Sequence, residues 1–177
     1  MAGAWAFTPR LHRDDRGAFL EAFTATALEE ITGRRLELAQ INTSISRQGV
    51  IRGIHAAHPP PGQAKYVMCL VGRILDVVVD LRPESPTYGR WDSVELDDES
   101  RGAIFISERL GHGFQVLSET ATVVYATSSP YDPAREYAVN PLDPDIAIGW
   151  HDLGRPALSP KDASAPSLRA LHDSLSQ

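Results

Sequence analysis

Lysine is almost absent from this chain: Lys65 and Lys161 are the only two among 17 basic residues, and arginine supplies the rest. The net charge of −6 leaves no basic excess with which to hold a phosphate backbone, so nucleic acid is excluded as the principal partner. Cysteine is rarer still. Cys69 stands alone, which rules out an intrachain disulfide and a thiolate metal cluster, and its place in an apolar run marks it as a small buried hydrophobe. No apolar run approaches the length of a membrane span, and the opening MAGAWAFTPRLHRDD has neither the basic nor the apolar region of a leader. A cytoplasmic protein with no membrane attachment is expected. A glycine-rich dinucleotide fingerprint is also missing, and no cofactor is expected. With no internal repeat, low-complexity stretch or linker, residues 1–177 are expected to form a single domain.

What the chain does have is concentrated between Gly49 and Gly72, GVIRGIHAAHPPPGQAKYVMCLVG. Val50 to His55 reads as a strand, with β-branched residues and a Gly53 that permits close approach of another backbone. Pro59, Pro60 and Pro61 then stop it, since each fixes φ and removes an N–H donor. A second strand follows from Ala64 to Leu70. The two are expected to be neighbours, delivering His55 and Lys65 from either side of a stiff corner. Such a pair suits proton transfer and charge stabilisation, although a lone histidine or lysine at a strand end is more often a solvated surface residue.

Elsewhere short strands alternate with turn signals. Glu37 to Ser46 places Gln40, Asn42, Ser44 and Ser46 on one face and Ile41, Thr43 and Ile45 on the other. On an edge strand the polar row would face water; in a sheet that closes or packs face to face it would line a pocket. Further strands are predicted over 74–81, 91–96, 103–107, 114–117 and 122–127, an all-β spacing that implies a sandwich or barrel. Asp76 and Asp80 share a face with Val78, so both carboxylates need buried partners, for which His55, Lys65 or an arginine are available. His112 lies between two glycines just ahead of a strand, and Tyr125 is in phase with Val123 and Thr127. Arg10 to Phe23 reads as a charged turn and a short strand carrying Phe19 and Glu21. Thr26 and Glu29 have capping-box spacing, with Gly33 to stop the helix, and a last short helix carries Leu168, Leu171 and Leu175. Between them, the chain after Pro130 reads as loops.

Taken in order, these motifs resemble one family, the nucleotide-sugar epimerases typified by dTDP-4-dehydrorhamnose 3,5-epimerase. The resemblance runs from about Phe7 to about Pro166 through DDRGAFLEAF, QINTSIS, GVIRGIH, PPGQAKYVMCLVG, LGHGFQVLS, YATSSPYDPARE, NPLDPDIAIGW and LSPKDASAP. It implies a cupin-type jelly roll with a few short peripheral helices. It also implies a cofactor-independent isomerase that epimerises C3, C5 or both of a dTDP-linked 4-keto-6-deoxyhexose in deoxysugar biosynthesis. A homodimer with exchanged N-terminal strands is implied as well, each site being completed by the partner chain. By position, His55 resembles the general base and Asp162 the carboxylate that orients it. Lys65 and His112 match the groups that stabilise the enolate oxygen, and Tyr125 matches the acid on the opposite face. Arg16, Phe19 and Glu21 resemble residues that reach the neighbour's nucleotide. Gln40, Asn42, Arg52 and Tyr131 resemble those lining the nucleotide and diphosphate, with Tyr131 stacking near the base. Two positions depart from the pattern: Ala56 replaces an aromatic and Ala57-His58 lacks a usual glutamine, which is expected to open space beside the sugar.

The chemistry suits these residue types. Removing a hydrogen from carbon beside a ketone needs a base, and also fixed donors at the developing enolate oxygen, worth about 3–4 kcal/mol for one well-placed group. Histidine titrates near neutrality, and a tyrosine is neutral and proton-bearing at pH 7, as the far-side acid must be. Two other readings compete. A non-catalytic sugar-nucleotide-binding protein would be free to lose Lys65 or Tyr125, yet both are present. A metal held by His55, His58 and His112 would suit zinc, iron or nickel. Against it, no carboxylate follows the first pair at short spacing and a Lys65 ammonium would repel the ion, so no metal is expected.

Overall fold

A computed structural model describes residues 1–175. Alternating side-chain character makes strand the dominant regular structure, and ten of the strands stack into two antiparallel five-stranded sheets. The first holds, in spatial order, β1 (Ala4–Phe7), β9 (Ala103–Ile106), β6 (Lys65–Val71), β11 (Thr120–Thr127) and β4 (Gln40–Arg47). The second holds β12 (Glu136–Ala138), β5 (Ile51–Ala57), β10 (Leu110–Val116), β7 (Arg73–Asp80) and β8 (Trp91–Asp97). A separate hairpin pairs β2 (His12–Asp14) with β3 (Gly17–Phe19). From β4 onward the chain changes sheet at every connection except that from β7 to β8. This is the wiring of a cupin-type jelly roll.

That wiring corrects one expectation. β5 and β6 are consecutive in sequence but belong to opposite sheets, so His55 and Lys65 face each other across the sandwich instead of lying on neighbouring strands. His112 is inside β10, not ahead of it, because the strand starts at Leu110. β12 and the helix α2 (Pro160–Ala163) fall in the stretch read as loops. In α2, Ser159 is the N-cap, accepting from the Asp162 N–H, and Pro160 suits the first turn because its missing donor would be unpaired there anyway. The helix α1 (Ala25–Thr32) begins two residues earlier than expected, with Thr24 at the N-cap position in place of Thr26. Thr26 and Glu29 lie within it, Thr24 makes no side-chain cap, and Gly33 ends it at φ 67° with its N–H donated to the Glu29 carbonyl.

Between the sheets lie Val67, Cys69, Val78, Leu96, Ile106 and Val123, and burial pushes the Cys69 thiol up to about 11. The outer face of the second sheet is covered over Leu75, Val77, Val79 and Leu81 by the C-terminal loops and the helix α3 (Leu168–Leu175), through Leu171. α1 covers Tyr66 and Phe105 on the outer face of the first. Cover stops short of β4, an edge strand: its polar row turns inward, and Ile41 and Ile45 are 59% and 73% exposed. Among the described residues, no helix is long and apolar enough to cross a membrane.

Candidate active site

The two sheets do not close on each other everywhere. A cavity of about 440 Å³ lies between them, lined by Asn42, Ser44, Lys65 and Tyr125 from the first sheet and by Arg52, His55, His112 and Phe114 from the second. The polar row of β4 is therefore a pocket wall.

Arg52 and His55 are three residues apart and would point to opposite faces of a regular strand. A bulge brings them together. His112 pairs with His55 and Phe114 with Arg52, so two steps along β10 match three along β5. Gly53 makes this possible, with φ at +109°; a Cβ there would stand 2.5 Å from the His112 carbonyl oxygen and 2.6 Å from Gly113 Cα. Once turned inward, Arg52 donates through Nε to Ser46 Oγ at 3.0 Å.

His55 Nε2 lies 2.6 Å from Asp162 Oδ1, with Asp162 presented by the first turn of α2. Burial by itself would raise the Asp162 carboxyl. Hydrogen bonds from His55, the Ser159 hydroxyl and the Gly53 N–H outweigh it and hold the group below the usual carboxylate range. An ionised Asp162 can only accept, so Nε2 carries the ring proton and donates it in the hydrogen bond, which leaves the other ring nitrogen free to act as a base. The second histidine is arranged similarly. His112 Nε2 is 2.8 Å from Asp76 Oδ2, so His112, and none of the groups expected from the sequence, is the partner of Asp76. Asp80 is met by an arginine, Arg82, as one of the expected options.

Lys65 is buried, and desolvation lowers its ammonium to about 8 against a weaker pull upward from Glu136. Burial likewise raises the Tyr125 phenol, which keeps its proton at neutral pH. Gln40 stands just behind the wall. It donates to Asn42 Oδ1 at 2.6 Å and accepts the Tyr131 N–H at 2.9 Å, fixing both. Tyr131 lies at the rim with the Lys161 ammonium 5.9 Å from its ring centre. The chain thus brings together His55, Lys65, His112, Tyr125, Asp162, Asn42, Arg52 and Tyr131 around one space.

Arg16, Phe19 and Glu21 are not brought there. Arg16 pairs with Asp14 on the β2–β3 hairpin, Phe19 is 67% exposed, and Glu21 lines a separate groove beside α1. Ala56 packs with Ile54, Leu75 and Val77 and does not line the main cavity; together with Ala57 it lines an adjoining chamber of about 290 Å³. His58 stacks on Tyr137 with centroids 4.4 Å apart, while the rings of His55 and His112 each turn to their own carboxylate. Sequence reasoning missed Glu136, which sits on β12 opposite Ala57 and lines both cavities. The available signal was a short alternation ending in buried Val139, too brief to stand out from a loop.

The fold and the cavity define a class, a cupin-type jelly roll equipped for acid–base chemistry on a small molecule. The family model described as dTDP-4-dehydrorhamnose 3,5-epimerase matches residues 1–170, and the chain belongs to that family. It is 51% identical over 173 residues to the dTDP-4-dehydrorhamnose 3-epimerase of Streptomyces niveus, covering 98% of this chain and 83% of the relative. The solved rmlC epimerase of Mycobacterium tuberculosis superposes with a TM-score of 0.95 at 47% identity, over 97% of this chain and 87% of that one. ChmJ, a 3'-monoepimerase from Streptomyces bikiniensis solved in complex with dTDP-quinovose, gives 0.93 at 46% identity, over 98% and 87%.

Proposed function

We propose that this chain is an isomerase that inverts C3, C5 or both carbons of a dTDP-linked 4-keto-6-deoxyhexose, without a cofactor. One observation carries the reading: the Asp162-supported His55 on one sheet faces Tyr125 on the other across a single cavity that also holds a buried lysine. His55 takes the hydrogen beside the ketone, and the electron pair moves to the ketone oxygen. Lys65 and His112 meet the charge there, with the lysine effective because it is desolvated and still protonated at pH 7. Tyr125 returns a proton from the opposite face. Asn42, Arg52 and Tyr131, with Gln40 behind them, hold the nucleotide and diphosphate. The reaction belongs in the cytoplasm.

The same reading makes the protein a homodimer. Arg16 and Phe19 project away from their own cavity, and Ile41 and Ile45 leave an apolar strip exposed on β4, the kind of surface that marks an interface. Exchanged N-terminal segments would bring Arg16, Phe19 and Glu21 to the partner's nucleotide. Mixing Arg16→Ala with His55→Ala subunits should then restore part of the activity, since one intact composite site forms; no restoration would remove the exchange.

Turnover in D₂O tests the chemistry and counts the carbons. An enzyme acting at C3 and C5 labels both positions of dTDP-4-keto-6-deoxyglucose, and a single-site enzyme labels one. Purified protein that binds this nucleotide sugar but labels neither would end the reading.

A further inference from the structure

Each inversion leaves His55 with a proton that it must lose before the next, and leaves Tyr125 without one. On the acid–base reading proposed above, we infer that Glu136 carries the proton away from His55, passing it to water in the adjoining chamber. Glu136 Oε1 lies 3.8 Å from His55 Nδ1, the ring nitrogen that Asp162 does not hold. Glu136 Oε2 is paired with the Lys161 ammonium, which anchors the carboxylate with its other oxygen toward the ring. The backbone is held by pairing with Ala57, so the side chain starts from a rigid strand. Glu136 also lines both the main cavity and the chamber of about 290 Å³, some of whose walls, His58, Pro61 and Asp132, are exposed to solvent.

At 3.8 Å the carboxylate and the imidazole share no hydrogen bond in the resting site, so Nδ1 keeps its lone pair for the substrate. One small movement, or one bridging water, closes that gap after proton abstraction. The steps balance. The C–H bond breaks, its proton goes to Nδ1 and its electron pair to the enolate. The N–H bond then breaks toward Oε1, restoring neutral imidazole. Glu136 releases the proton to water, and the Tyr125 phenolate recovers one from water.

Glu136→Gln keeps the shape and cannot accept a proton. In dilute buffer its kcat should fall by tenfold or more, with KM changed much less, and should climb back as imidazole is added to serve as an alternative proton acceptor. The wild type should be indifferent to imidazole. Unchanged kcat in dilute buffer, or a loss that imidazole does not restore, would overturn the relay. Should the glutamine variant fail to fold, Glu136→Asp should show a smaller loss with the same imidazole dependence, and its absence counts equally against the proposal. Wild-type deuterium incorporation is measured alongside. If the wild type incorporates none, the epimerase reading fails; if it does while Glu136→Gln is insensitive to buffer, only the relay fails.

Discussion

Asp76 and Asp80 lie on the same strand, on the same face, and both are fully buried, yet they are treated in opposite ways. Asp80 is saturated. It accepts from the Arg82 guanidinium and backbone N–H, from the Ser85 hydroxyl at 2.6 Å and from the Thr87 hydroxyl at 2.6 Å. Burial would raise it, but these donors win and hold it far below the usual carboxylate range. Among the described residues Asp76 has His112 alone and its Oδ1 has no hydrogen-bond partner, and burial drives it upward against the histidine's pull. The difference separates a carboxylate that locks a turn from one that holds a cavity-lining histidine in place. Buried polar groups are normally satisfied, so an incompletely satisfied one beside a cavity marks where stability has been given up for chemistry.

If that contrast holds, substitutions around the cavity should affect rate more than stability, and those around Asp80 the reverse. The largest effect is expected at His55. His55→Ala should lower kcat by on the order of 10⁴-fold, the upper end for a general base, with nucleotide binding by calorimetry nearly intact. Activity close to wild type would take His55 out of the mechanism.

Lys65→Met follows, with a rate loss of about 10²–10³-fold for a missing oxyanion donor. The same change should stabilise the fold. A lysine at about 8 in place of 10.5 is charged at pH 7 at a cost on the order of 3 kcal/mol. The folded value lies below the unfolded one, so between those two values the unfolded chain binds more protons. Wild-type stability should therefore rise with pH across that window, and that of the variant should not. Wild-type kcat should decline as pH passes about 8 and the ammonium is lost. Denaturant melts from pH 7 to 10.5, beside a rate profile, check both; a less stable Lys65→Met would contradict the contrast.

Asp80→Asn should cost about 3 kcal/mol, because the half-buried Arg82 guanidinium and the Ser85 and Thr87 hydroxyls lose a charged acceptor, while kcat of the folded protein stays near wild type. The slope with pH has the same sign as for the lysine, since both folded values are lowered, but the window is acid and the contribution at pH 7 is favourable. A lowered carboxylate contributes its stability above the ordinary aspartate value, near 3.9, and loses it as pH falls through the folded value. Acid melts of the wild type should show that loss, and those of Asp80→Asn should lack it. The smallest effect is expected at Asp76→Asn. A misaligned His112 should slow turnover by about tenfold, equivalent to ~1.4 kcal/mol, with thermal stability held or raised because the amide carries no charge to desolvate. Equal stability losses at the two aspartates would dissolve the distinction between them.

Much of this molecule was legible from short-range pattern. The single polar face from Gln40 to Ser46, the shared face of Asp76 and Asp80, the buried Cys69 and the stop at Gly33 all follow from spacing along one strand or helix, and each is found, although that the polar face turns inward does not follow from spacing. Motif resemblance carried recognition further, to His55, Lys65, His112, Tyr125 and Asp162, which meet at one cavity. The helix α2 could have been read from Ser159, Pro160 and Asp162, which carry a cap and a first-turn proline, but a four-residue helix generates no periodicity.

By itself, then, the chain determined its alternation and its turns, because these depend on residues within a few positions of one another, while the groups proposed for the chemistry were picked out by motif resemblance. Only the tertiary structure decided that β5 and β6 fall in opposite sheets, that Asp76 belongs to His112, and that Glu136 stands beside the free nitrogen of His55. The bulge at Gly53 shows the reason most clearly. Period two along β5 assigns Arg52 and His55 to opposite faces, and only the register against β10, a strand some 60 residues away, turns them to the same one. Local sequence sets which way a side chain points relative to its neighbours; the partner strand sets what it points at.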